Sequence, residues 1–416
     1  MNEDFLLLNP GPVPITDDVS AAMDGEMVSH RSAAFEAVYE RAQDGLDYVF
    51  EESTLDGTTT ATDAGGTSLL LNGTASMGME AAVANLVGSA GRSPASDRTQ
   101  SGNAGDHVVA LVNGKFGRRF ARIAERYADV TRVEVAWGDS IPLSNVDAAV
   151  TDDTDLVTMV HNETSTGLLN PVAGVGRIAD DHDARFVVDG VTSIGGDVFC
   201  LEPWNVDIAI TDAQKALAAP PGISAMYVTE EVVDDLDGES APFYEDLEWH
   251  LRKAESHQTP FTSAVPLFRA MAVAVEDIVA ETMPDRIRRH RRQAAAFRAG
   301  FTGMGLELFA NAEDATVLSN TVTAVSLPDA VAGDDADAFF DGVEARNVSI
   351  SGGQAHLGGT IFRVSNMGGL PDEAILRGVR VVGEAMADAG VDVDVDAGTA
   401  AARATLDVAE TAPADD

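Results

Sequence analysis

Strand-length apolar runs, each closing on a polar loop, constrain this chain more than any other feature. The segment Arg185 to Pro221 holds two of them, Phe186 to Val188 and Ile208 to Ile210. Each delivers one chemically loaded residue to the loop beyond it, Asp189 after the first and Lys215 after the second. Runs of this length are strands, and Gly-rich turn material punctuates the first. Leu69 to Leu71, His107 to Val112, Leu156 to Val160 and Ile223 to Thr229 repeat the pattern, largely with helical segments between them. Such alternation predicts an α/β domain with a doubly wound, mainly parallel sheet. Functional groups in that architecture collect beyond the carboxyl ends of the strands, so Asp189 and Lys215 are expected in one crevice.

An amine and a carboxylate so placed suit pyridoxal phosphate, with Lys forming a Schiff base and Asp holding the ring nitrogen protonated. Composition sharpens the point. Of 27 Lys plus Arg residues only three are lysines, at 115, 215 and 253. Arg cannot replace Lys as an amine nucleophile, because the guanidinium stays protonated.

With 416 residues, the chain is long enough for two domains with full cores. Its 68 acidic residues give a formal charge of −41, a field that repels nucleic acid and anionic membranes. That acidity with scarce Lys points to a high-salt cytoplasm, where cations screen the self-repulsion. Cys200 is the single cysteine, so no internal disulfide forms and a reducing cytoplasm fits. Neither a secretion signal nor a membrane span is indicated, and no metal is expected.

The expected organisation is an amino-terminal arm over 1–25, a large α/β domain over 26–264, a small α+β domain over 265–390 and an acidic, disordered tail over 391–416. The arm carries a Pro/Gly turn, Asn9-Pro10-Gly11-Pro12, and is followed by a helix entered at His30-Arg31, a pair expected to be a solvated cap. Segments 53–67 and 92–104 are small and polar, hence surface loops. Between them, Gly73-Thr74-Ala75-Ser76 joins a strand to a helix start, a turn that either merely caps the helix or offers its free N–H groups and the helix dipole to an anion. Phe116 stands between glycines at the next strand-to-helix turn, placed either to lie flat on a planar ligand or to fold back on a neighbouring helix. The strand Leu156 to Val160 opens into His161-Asn162-Glu163-Thr164-Ser165-Thr166-Gly167. In the small domain, Arg363 alternates with Phe362 and Val364 and points to the face opposite theirs.

In this order, the Gly-Thr-x-Ser turn, Asn-Gly-Lys-Phe-Gly, His-Asn-Glu-Thr-Ser-Thr-Gly, Val-Asp-Gly-Val, Gln-Lys-Ala and Phe-Arg-Val resemble the class V aminotransferases. These are fold type I pyridoxal-phosphate enzymes, and the alanine-glyoxylate and serine-pyruvate group is nearest. The resemblance covers roughly residues 5 to 390. It implies that Lys215 is the Schiff-base lysine and Asp189 the pyridine-nitrogen partner. Phe116 and Val191 fall on the two ring faces, Thr74, Ala75, Ser76 and Gln214 around the phosphate, and Thr164 near the ring hydroxyl. Arg363 matches the arginine that grips the substrate α-carboxylate, and Gly11 belongs to the arm that closes over it. Thr259 and Thr262 match positions offered to the phosphate of a neighbouring subunit, which implies a homodimer with shared active sites. Ser76 stands where some relatives carry His, and Thr259 where some carry Tyr, which bears on amino-acid preference. The implied activity is ping-pong transfer of an amino group from alanine, serine or aspartate to glyoxylate, pyruvate or 2-oxoglutarate. Alternatives are a cysteine desulfurase using Cys200, or an idle dimeric scaffold.

Overall fold

The computed structural model describes residues 5–61, 66–87, 106–236, 238, 241–310 and 317–408. The expected loop 92–104, part of the loop 53–67 and the last eight residues of the tail lie outside them.

A seven-stranded sheet organises the large domain. Its strands are β1 (Thr67–Asn72), β2 (His107–Val112), β3 (Asp129–Glu134), β4 (Leu156–Val160), β5 (Arg185–Asp189), β6 (Ile208–Asp212) and β7 (Ile223–Val228), in spatial order β1-β7-β6-β5-β4-β2-β3. Only β7 runs against its neighbours, pairing antiparallel with β1 and β6. The central strands β4, β6 and β7 are buried along their whole length, which is why they read as continuous apolar runs rather than alternating ones. Helices α1 (Ala33–Glu51), α2 (Ala75–Leu86), α3 (Lys115–Ala124) and α4 (Val172–Asp180) cover the sheet. The register sets Val160 against Asp189 and Asp189 against Ile210, so the loops leaving β4, β5 and β6 emerge side by side. That is the crevice the alternation predicts.

The helix α5 (Val265–Glu281) is followed by α6 (Met283–Gly303). A three-stranded antiparallel sheet joins Val322–Ser326, Ile361–Ser365 and Ser351–Gly352, and α7 (Asp372–Asp388) shares a buried core with it. Among the described residues no helix is long and apolar enough to cross a membrane.

Three expectations about domain limits are revised. Phe268, Met271 and Val275 of α5 belong to the core of the large domain, with Met283 and Ile287. The second core begins only at Ala296, so the chain changes domain within α6 rather than at residue 265. The amino-terminal arm also contributes to the small domain: Leu6–Leu7 pairs parallel with Val348–Ser349, and Leu8 is fully buried there. Finally, much of the supposedly disordered tail is a helix, α8 (Val395–Val408). Its small residues are what allow it to pack. A Cβ on Gly398 would fall 2.6 Å from the Gly300 carbonyl oxygen, and Ala402 and Leu406 are buried in the second core.

Candidate active site

Beyond the carboxyl ends of β1, β5 and β6 lies a cavity of about 200 Å³. Its wall contains Lys215, Asp189, Phe116 and Val191, the turn Thr74-Ala75-Ser76, and Gln214. Eight sequence-derived candidates thus line one small space, and Gly11 touches Lys215 from its edge; Arg363 does not line it. Met79, Arg119 and Asp212 also line it and had not been singled out from the sequence. Cavities of about 450 and 670 Å³ share Arg185 at the opposite end of β5 and are rich in carboxylates. No amine nucleophile lines either one.

Asp189 ends β5 with 3% of its surface exposed, and one carboxylate oxygen accepts the Val191 N–H at 2.9 Å. Burial pushes its pKa up to about 7. No cation lies within ion-pair distance of it among the described residues, and a buried carboxylate in that position is costly. Lys215 follows β6, and its amine donates to the Pro10 carbonyl oxygen. Burial, reinforced by the nearby Arg363 charge, lowers its pKa to about 8. The arm can come this close only through glycine. Gly11 sits at φ +98°, and a Cβ there would lie 2.6 Å from Lys215 Cδ and Cε.

Phe116 is held by backbone rather than by its ring. Buried Glu163, in the loop after β4, accepts the Phe116 and Gly117 N–H groups at 3.0 and 3.1 Å, and Ser165 Oγ accepts the Lys115 N–H at 3.0 Å. A carboxylate at the positive end of α3 thus fixes the turn. Burial nevertheless raises the Glu163 pKa. At the start of α2, Asp212 accepts the Ala75 N–H at 3.0 Å, and Ser76 Oγ accepts from Arg119 at 2.8 Å. The Arg119 guanidinium also stands 4.9 Å from the Phe116 ring centroid. Thr74 precedes the helix as an exposed cap residue without a side-chain bond.

Several expectations land elsewhere. Thr164 does not line the cavity: its hydroxyl pairs with Thr192 Oγ1 at 2.5 Å and its carbonyl oxygen accepts from Arg363 at 2.9 Å. Arg363 is 3% exposed, with Phe362 and Val364 in the small-domain core, so its own face is turned to the large domain. It donates twice to the Gly352 carbonyl oxygen, at 2.8 and 3.1 Å, and burial lowers its pKa to about 10. Thr259 and Thr262 do not line the cavity either. Thr259 is buried, its hydroxyl donating to the Phe261 carbonyl oxygen at 2.9 Å, and Thr262 is exposed. Arg31 is more than a solvated cap: it donates to the Thr259 and Pro260 carbonyl oxygens at 2.6 and 3.0 Å and clamps that loop. Cys200 lies outside the cavity, and burial pushes its thiol up to about 11.

The residues present fit a pyridine ring that carries an aldehyde and a phosphate. A buried amine, an unpaired buried carboxylate, an aromatic face and a helix start with a hydroxyl border one space. The buried Gln214 amide oxygen, without a hydrogen-bond partner among the described residues, leaves polar capacity there.

The family model for class-V aminotransferases matches residues 96–329. An uncharacterized aminotransferase of Methanocaldococcus jannaschii is 34% identical over 93% of this chain and 94% of that one. The L-aspartate–glyoxylate aminotransferase of Paracoccus denitrificans is 30% identical over 95% of this chain and 94% of that one. The crystal structure of pyridoxamine-pyruvate aminotransferase from Mesorhizobium loti superposes with a TM-score of 0.83 at 28% identity, covering 97% of both chains. Likeness along nearly the whole length, over a sheet that carries these groups at its strand ends, makes this chain a member of the class V aminotransferases, a fold type I transaminase that works with pyridoxal 5'-phosphate on amino acid and 2-oxo acid substrates.

Proposed function

We propose that this transaminase takes its amino group from a small amino acid, alanine, serine or aspartate, and delivers it to glyoxylate, pyruvate or 2-oxoglutarate. Alanine-glyoxylate or serine-pyruvate exchange is the first pair to test. The supporting observation is the convergence of Lys215 and Asp189 on one cavity walled by Phe116.

The cofactor, when bound, supplies the aldehyde and the electron sink; the chain supplies the rest. Lys215 anchors it and moves the proton at the substrate Cα, a task suited to an amine whose pKa is about 8. Asp189 would accept the ring N–H and keep the ring cationic, and Phe116 and Val191 would border its two faces. Thr74, Ala75, Ser76 and Gln214 would hold the phosphate. Arg363 offers the planar fork for the substrate α-carboxylate, held ready by Gly352 and Thr164. Gly11 lets the arm cover Lys215 and exclude water. Thr259 and Thr262 serve the site of a second copy in a homodimer, and the workplace is a salty cytoplasm. The cysteine desulfurase alternative lacks support, because Cys200 is outside the cavity and its thiol is held protonated.

The test is spectroscopic. The purified, cofactor-loaded protein should show an aldehyde-derived absorbance band that disappears on adding the true donor and returns on adding the true acceptor. A Lys215→Ala protein with undiminished turnover would defeat the proposal, as would release of sulfide from cysteine without amino transfer.

A further inference from the structure

Arg119 lines the cavity of Lys215 and Asp189 with its charge unmet. It lies three residues beyond Phe116 on α3, a spacing that keeps two side chains on one helix face, so the turn that Glu163 fixes carries both to the same wall. Its guanidinium donates to Ser76 Oγ at 2.8 Å and stands 4.9 Å from the Phe116 ring centroid. It makes no ion pair among the described residues.

The start of α2 lacks just such a charge. A phosphate ester brings roughly −1.5 to −2 at pH 7. The turn that would meet it is partly taken by an anion already, because the Asp212 carboxylate, on a residue 4% exposed, accepts the Ala75 N–H at 3.0 Å. Thr74, Ala75, Ser76 and Gln214 are all neutral, so a second anion beside that carboxylate needs a cation. Two described side chains lining the cavity are cations, Lys215 and Arg119, and Lys215 is the amine for the aldehyde. Arg118 is turned to the Trp137 ring, 4.8 Å from its centroid, and neither Lys115 nor Arg363 lines the space. Ser76 links the parts: a hydroxyl that accepts from Arg119 keeps its own proton to donate.

We propose that Arg119 supplies the permanent positive charge for the cofactor phosphate, through its planar fork and through Ser76 Oγ. This contact retains the cofactor in the half of the cycle when it carries the amino group and has no bond to Lys215. Guanidinium suits the task, since it stays protonated and matches phosphate geometry. The proposal rests on the transaminase reading above and adds a residue to its site.

The test reads binding rather than turnover. Calorimetric titration of the cofactor-free full chain gives dissociation constants for pyridoxamine 5'-phosphate and for pyridoxamine, which lacks the phosphate. The wild type should bind the phosphorylated form at least about 100-fold tighter. Arg119→Met should shrink that ratio at least about tenfold while leaving pyridoxamine affinity in place, and Arg119→Lys should restore part of it. A second readout needs no variant: the ³¹P resonance of pyridoxamine 5'-phosphate on the wild type should show a phosphate that stays doubly charged well below its ordinary pKa of about 6. A ratio unmoved by Arg119→Met, or a bound phosphate that titrates at about 6, would overturn the proposal. In either case capture of pyridoxal phosphate by Lys215, seen as its absorbance band, leaves the transaminase reading standing; a wild type that captures none overturns both.

Discussion

The buried amine of Lys215 sets a pH dependence that can be worked out from its surroundings. Burial, with Arg363 adding to it, brings the pKa down to about 8. At pH 7 such an amine is neutral in roughly one molecule in ten, against about one in 2,500 for an ordinary lysine, a gain on the order of 10²-fold in nucleophile. The same shift is a stability statement. Between about pH 8 and pH 10.4 the unfolded chain binds a proton at Lys215 that the folded chain does not, so stability rises with pH across that window. Below it the full penalty is present, up to about 3 kcal/mol. Two assays on cofactor-free protein follow. The rate of pyridoxal phosphate capture, followed by stopped-flow absorbance, should climb with pH and level off above about pH 8. In urea unfolding, Lys215→Met should be more stable than the wild type at pH 7 by up to about 3 kcal/mol, the advantage fading by about pH 10.4. A capture rate still climbing tenfold per pH unit past pH 9, or a Lys215→Met protein no more stable at pH 7, would refute the reasoning.

Other perturbations test the supports around that amine. Gly11→Ala forces a Cβ to within 2.6 Å of the Lys215 side chain at a backbone φ of +98°, and overpacking of this kind costs about 1–3 kcal/mol. Cofactor capture should slow by about tenfold or more; an unchanged rate would show that the arm does not cover the lysine. Arg286 is buried and donates to the Gly195 and Ala216 carbonyl oxygens, both at 2.7 Å, and to Glu281 at 2.8 Å, bracing the residue that follows Lys215. Arg286→Met is expected to lose about 3–5 kcal/mol in urea unfolding, and a loss under about 1 kcal/mol would contradict that bracing role. Asp189→Asn removes the carboxylate proposed as partner of the ring nitrogen. Single-turnover amino transfer should fall by at least about 10²-fold, the equivalent of a broken buried charge pair, and a fall of less than about tenfold would reassign Asp189.

What could be seen in the sequence was what short-range pattern carries. Asp189 and Lys215 each close an apolar run, and parallel register does the rest: once β5 and β6 pair, their loops must share a crevice. Arg363 was legible from its alternation with Phe362 and Val364, though only the packed domains show which protein surface it faces. Glu163 was within a quoted motif but gave no sign of its task, because capping α3 depends on a contact between residues 46 and 47 positions apart. Asp212 and Arg119 were missed for the same reason, their partners Ala75 and Ser76 being distant in sequence. The helix α8 was misread because small residues signal disorder when taken alone. They signal close packing when Gly300 is waiting on the opposing helix. The domain limit at residue 265 failed similarly, since a change of pattern from strands to helices does not say which core the helices enter.

The three lysines of this chain offer an unusually clean test of where the chemistry resides. Borohydride reduction of the pyridoxal-phosphate-loaded protein, followed by peptide mass analysis, fixes the cofactor to whichever amine holds it. The pyridoxyl mass is expected on the peptide bearing Lys215 alone; label on Lys115 or Lys253, or on none of the three, would contradict the site described here.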